Sequence, residues 1–126
     1  MDFRNKTSDS FVTIIFSWLV KKEEDMTAVL IVRAKVDPNR RDDFDTWYEN
    51  EHLPDAHKAF SPLSANRGWC KDDPNTHIAV YEFLSLGEAT QATESQAINE
   101  LIIEFDRHWD GFVTRTREVV EFKQSI

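Results

Sequence analysis

Thr27-Ala28-Val29-Leu30-Ile31-Val32-Arg33-Ala34-Lys35-Val36-Asp37-Pro38 is the stretch on which the fold turns. Ala28, Leu30, Val32, Ala34 and Val36 alternate with Val29, Ile31, Arg33 and Lys35, a period of two that predicts a strand, Thr27 to Val36, buried mainly on one side. Asp37 then offers a helix N-cap and Pro38 the first helical position, where a missing N–H does no harm.

The helix that starts at Pro38 carries Phe44, Trp47, Tyr48 and Glu51 at three- and four-residue spacings, so one carboxylate shares a stripe with three aromatics and His52 lies at its edge. Pro54 makes continuation past Leu53 unfavourable, which predicts an end near His52 and a short irregular or helical piece from Pro54 to Phe60. Ser64 to Lys71, with Gly68, Trp69 and Cys70, reads as a strand of mixed polarity. Asp73-Pro74-Asn75-Thr76 has the chemistry of a type I turn and leads into a strand from His77 to Leu84, so the pair forms a hairpin. From Glu88 to about Trp109, Ile98, Leu101, Ile102, Phe105 and Trp109 recur at helical spacing, with Gly111 placed to end the helix. Val113 to Phe122 reads as the last strand.

Strand, helix, strand, strand, helix, strand is the α+β plait of ferredoxin-like domains, an antiparallel βαββαβ sheet with both helices on one face. The other face would carry the Val29, Ile31 and Arg33 set and one face of the Trp69 strand. A half-apolar face of that size predicts a homodimer in which two sheets face each other.

With 126 residues, the chain has room for one core. A net charge of −8 disfavours a nucleic-acid backbone or an anionic membrane as the main partner. The single cysteine, Cys70, cannot close an intrachain disulfide and gives no zinc framework, which fits a reducing cytoplasm. Residues 1–25 read as an extension to a domain of residues 26–126. Their apolar run, Phe11 to Val20, falls short of the ~20 residues a spanning helix needs, and Lys21-Lys22-Glu23-Glu24-Asp25 stands where a secretory cleavage site would lie.

Candidate chemistry concentrates in Trp47-Tyr48-Glu49-Asn50-Glu51-His52-Leu53-Pro54-Asp55. Against apolar walls, Glu51 would hold its proton more tightly and become a useful acid or base, unless it reaches solvent or pairs with a nearby cation. Neutral His52 could take a proton from an acidic C–H or a phenol, with Glu51 or Asp55 fixing its tautomer; the competing reading has His52 bonding the last carbonyls of its helix. Trp47 would be a wall of the pocket. Tyr48 and Tyr81 are further lining candidates, as is Trp69, although tyrosine on a half-buried strand is ordinary packing. His57 with the nearby acids lacks the i, i+4 histidine pair of a helical metal site, so no metal is expected. Arg115 and Arg117, with Glu118 and Glu121 close by, suggest a solvated or dimer-facing ion-pair network. Asn66 and Arg67 could polarise a substrate oxygen. The chain holds no nucleotide-binding glycine loop, serine-nucleophile motif or Cys/His catalytic pair.

From Met26 onward the sequence resembles the dimeric α+β barrel superfamily, and Trp47-Tyr48-Glu49-Asn50-Glu51-His52-Leu53-Pro54 resembles the aromatic-then-His-Pro helix end of its EthD-like members. The resemblance implies a pocket between sheet and helices that accepts small hydrophobic or aromatic molecules, often without metal or tightly bound cofactor. Its members include monooxygenases, muconolactone isomerases, polyketide cyclases, haem-degrading proteins and ligand-sensing domains. Only His52, Trp47 and Tyr48 carry over residue by residue; for a haem-binding branch the residue to watch would be His108. The expected function is a cofactor-independent oxygenase, isomerase or cyclase, the alternatives being a non-catalytic ligand-binding or regulatory dimer and a haem-binding protein.

Overall fold

The computed structural model describes residues 26–126, and the expected extension over residues 1–25, with its apolar run, lies outside the described residues. Strand β1 (Ala28–Val36) is central, with β3 (Thr76–Phe83) on one side and β4 (Val113–Glu121) on the other, while β2 (Ser64–Trp69) pairs with β3 at the edge. The order is β2-β3-β1-β4 and every pairing is antiparallel. This is the expected ferredoxin-like plait. Register fixes which side chains share a face: Leu30 lies opposite Tyr81 and Val119, and Ala34 opposite His77 and Arg115. The expected inward set of β1 is buried at Ala28, Leu30, Ala34 and Val36. Between β2 and β3, the Thr76 N–H donates to the Asp73 carbonyl at 2.9 Å and the Thr76 hydroxyl to the Asp73 carboxylate at 2.7 Å, closing the turn that Asp73-Pro74 predicts.

Both expected helices depart from their simple form. Pro38–Arg40 is a 3-10 turn capped by the Asp37 carboxylate, which accepts from the Asn39 N–H at 2.9 Å. Helix α1 (Arg41–Trp47) follows, then a π turn (Tyr48–His52), then α2 (Leu53–Phe60) without interruption. The expected stop before Pro54 is therefore wrong. A proline inside a helix lacks one hydrogen bond and crowds the carbonyl four residues back. The wide turn just before Pro54, closed by the Leu53 N–H donating to the Tyr48 carbonyl, relieves that crowding and lets the helix go on. α2 ends at Ser61, which takes up a left-handed conformation with φ 49°.

The second expected helix is two. α3 (Leu86–Thr93) starts before Glu88 under a Ser85 cap, and α4 (Gln96–Trp109) starts anew after Ser95. Ser95 causes the break: its hydroxyl accepts from the Ile98 N–H at 3.3 Å and donates to the Ala92 carbonyl at 2.8 Å, local bonds that compete with helix continuation. Helices and strands close on one core of Leu30, Phe44, Tyr48, Tyr81, Phe83, Phe105 and Trp109. Among the described residues, no helix is long and apolar enough to cross a membrane.

Candidate functional site

A cavity of about 50 Å³ lies between sheet and helices. Its floor is Leu30 and Val32 of β1, Tyr81 of β3 and Arg115 and Arg117 of β4. Its roof is Tyr48, His52, Ala56 and Phe60 from one helical run and Ile98, Leu101, Ile102 and Phe105 from α4. At roughly a third of the ~150 Å³ that admits benzene to an apolar core, the closed space holds only the tip of a ligand. A shallow groove of about 340 Å³ adjoins it and shares Ile102, Arg115 and Arg117.

The π turn decides what faces this space. It adds one residue to the hydrogen-bonded ring, so the stripe of Phe44, Trp47 and Tyr48 continues to His52 in place of Glu51. His52 is only 9% exposed, and its ring stacks on Trp47 with centroids 4.7 Å apart. Tyr48 and Phe105 meet it edge-on at 4.8 and 5.5 Å. Burial, followed by the positive charge of Arg115 and by His77 and His108, pushes its pKa down to about 4, so the ring is neutral near pH 7. No hydrogen bond engages its nitrogens among the described residues, which leaves a lone pair free.

Below it, the buried hydroxyls of Tyr48 and Tyr81 lie 3.3 Å apart. Burial pushes Tyr48 up to about 12 and Tyr81 well above the ordinary phenol range, so both stay protonated. One O–H serves the contact between them, and the other is available to a third group.

A second polar cluster backs Tyr48 away from the cavity. The His77 ring lies 4.4 Å from that of Tyr48. Arg67 Nη1 donates to Asp45 Oδ1 at 2.9 Å and to His77 Nε2 at 3.3 Å. Because arginine only donates, His77 carries its proton on Nδ1. Burial first and Arg67 next push His77 down to about 4, against the opposite pull of Asp45. Trp69 Nε1 donates to the same Asp45 oxygen at 2.8 Å, and this bond, with that from Arg67, holds the Asp45 carboxyl below the usual range.

No protein-family profile and no curated protein sequence matches the chain. Solved structures do. A NIPSNAP family protein of unknown function from Agrobacterium tumefaciens is similar with TM-score 0.62 and 10% identity, over 77% of this chain and 88% of that one. SnoaB, a cofactor-independent oxygenase from Streptomyces nogalater, is similar with TM-score 0.60 and 9% identity, over 79% of this chain and 96% of that one. An ethyl tert-butyl ether D (EthD) family protein from Bacillus halodurans is similar with TM-score 0.57 and 14% identity, over 72% of this chain and 96% of that one. The chain shares with them its fold, the antiparallel ferredoxin-like plait described above.

On this fold, the residues singled out in the sequence separate into three groups. His52, Tyr48 and Tyr81 line the cavity, with Trp47 behind the His52 ring. Trp69 sits in the Asp45 cluster, outside the cavity walls. Glu51 and Asp55 are exposed, Glu51 because the π turn rotates it to the outside. His108 is also exposed, its Nδ1 3.0 Å from the Glu104 carbonyl, and the cavity does not reach it. Among the described residues, no three His, Cys, Asp or Glu side chains converge as a metal site would require. The expected network of Arg115 with Glu118 and Glu121 is replaced: Arg115 pairs with Asp106 at 3.0 Å, Glu118 with Arg33 and Glu121 with Lys123. Arg115 and Arg117 belong to the cavity, and the signal was present in Val113-Thr114-Arg115-Thr116-Arg117-Glu118-Val119, whose alternation puts both arginines on the face of two core valines.

Proposed function

We propose that the protein is a cofactor-independent enzyme that removes a proton from a small apolar or aromatic compound held between sheet and helices, in a reaction of the oxygenase, isomerase or cyclase type. One juxtaposition carries this reading: the unpartnered, neutral His52 and the phenol pair of Tyr48 and Tyr81 open into the same apolar cavity. His52 would accept a proton from a C–H beside a carbonyl or from a phenol, and the free tyrosine O–H would donate to the oxygen on which negative charge develops. In a water-poor pocket that bond is worth more than in solution and offsets the weak basicity that burial imposes on the imidazole. SnoaB is a cofactor-independent oxygenase on the same fold, which supports the reaction class. We further propose a homodimer formed through the outer sheet face, where the half-buried Ile31 of β1 lies beside Ile78 and Val80 of β3 and the exposed Val120 stands on β4. Native mass spectrometry should give twice the chain mass, and a monomer at micromolar concentration would remove this part.

The surface position of Glu51 favours a second reading, a ligand-binding dimer without turnover, because His52 then has no carboxylate partner. Deuterium exchange separates the two. Phenylacetone in D2O should lose its acidic C–H signal faster with the protein than in buffer, and His52→Gln should cut the added rate by ~10²–10⁴-fold with the fold intact. Binding of the ketone without faster exchange would leave the second reading.

A further inference from the structure

The two arginines of the cavity floor have no role in that chemistry, and their surroundings are unusual for this chain. Both stand on the face of β4 that carries Val113 and Val119, which pack on the core, with Arg115 half-buried and Arg117 exposed at the groove. Arg115 has a partner: Nη1 meets Asp106, and its guanidinium lies over the Phe105 ring at 3.8 Å, which fixes its plane. Arg117 pairs with no carboxylate among the described residues. The cavity walls contain no Asp or Glu, and the sole acid of the adjoining groove is Asp106, already paired with Arg115. So a chain of net charge −8 keeps one uncompensated positive charge where the groove enters an apolar slot.

We infer that the ligand is an amphipathic carboxylate, its head in the groove against Arg115 and Arg117 and its apolar end pointing past Phe105 to His52 and the two tyrosines. This rests on the cavity being the ligand site, as proposed above. Geometry argues for a carboxylate head: a guanidinium offers a planar fork of donors that matches two carboxylate oxygens, and one already held by Asp106 and Phe105 has less freedom to lose on binding. Charge argues likewise, since Arg117 has no acidic neighbour in the cavity or groove with which an incoming anion would compete. There is also a chemical consequence. Arg115 depresses the basicity of His52, so an anion that neutralises this field returns proton affinity to the imidazole when substrate is in place.

Phenylacetate and its uncharged isostere phenylacetamide test this by calorimetric titration at low salt, with the His52 ring signals followed by NMR. The acid should bind at least tenfold more tightly than the amide and shift the His52 signals. Arg117→Gln, a change at an exposed side chain, should abolish the preference while leaving amide affinity and the circular dichroism spectrum unchanged; Arg115→Gln should act in the same direction. Equal binding of acid and amide would overturn the inference and leave the cavity reading standing. So would a preference that survives both substitutions, or acid binding that leaves His52 unmoved. Failure of both probes to bind would overturn the cavity reading and the inference with it.

Discussion

Acidification from pH 6.5 to pH 4 is expected to remove on the order of 3 kcal/mol of stability for each of two histidines, His52 and His77. Burial keeps both rings neutral in the folded protein down to about pH 4, whereas the unfolded chain takes up their protons below 6.5. In that window the unfolded state binds more protons, so stability rises with pH and falls on acidification. The groups that shape the effect are Arg115, His77 and His108 around His52, and Arg67, Asp45 and Arg41 around His77. Asp45 extends the loss further. Its folded-state carboxyl titrates below 3.8, so its contribution is present above that value and disappears only as pH falls through the depressed one. Since a domain of this size holds ~5–15 kcal/mol in total, two such histidines are enough to bring it close to unfolding near pH 4. Urea midpoints at pH 7.5, 6, 5 and 4.5 would trace the decline, and His77→Gln should reduce its slope by close to one proton. A midpoint that stays flat across this range would show that neither ring is buried neutral.

Phe44→Ala is expected to cost about 3–5 kcal/mol. Phe44 is fully buried, and its ring lies within 5.1 to 6.1 Å of Trp47, Tyr48, Trp69, His77, Phe105 and Trp109. These six rings come from α1, the π turn, β2, β3 and α4, so truncation opens a void where most elements meet, and none of them can close it without leaving its other contacts. The urea midpoint should fall sharply with little change in slope. The nearby His52 and Tyr48 rings should also loosen, visible as faster ring flips of Tyr48 by NMR. A loss below ~1 kcal/mol would mean that the aromatic cluster repacks freely.

The plait was legible because β1 shows a period of two, β4 is rich in threonine and valine, and the Asp73-Pro74 turn joins β2 to β3. Those signals are local, and the sheet uses them without change. The site was legible in part. Tyr48 and His52 were singled out from helical spacing and Tyr81 from its place on a half-buried strand, and all three line the cavity, whereas Glu51 and Asp55, offered as partners of His52, are exposed. Reading Glu51 inward assumes 3.6 residues per turn throughout, and Pro54 was taken as a stop when it sits just beyond a wide turn that accommodates it. The break between α3 and α4 was missed because the apolar periodicity read for that helix, Ile98 to Trp109, lies wholly after Ser95, whose cap starts α4 anew. Asp45 was invisible for a different reason: its partners Arg67 and Trp69 come from β2, with His77 of β3 joined through Arg67, and only tertiary register brings them together.

The π turn also bears on how this gene can change. Between Tyr48 and Leu53, whose backbone bond closes the π turn, the chain uses one residue more than a regular α-helix would, with Glu49, Asn50 and Glu51 exposed. Loss of a single codon in that interval would keep His52, Ala56 and Phe60 in phase with the cavity, but it would press Pro54 against the helix at a penalty of ~3 kcal/mol. Combined with Pro54→Ala, the same deletion becomes tolerable. The extra residue and the proline are thus expected to be coupled: the deletion alone should lower the urea midpoint, and Pro54→Ala in the same chain should restore most of the loss.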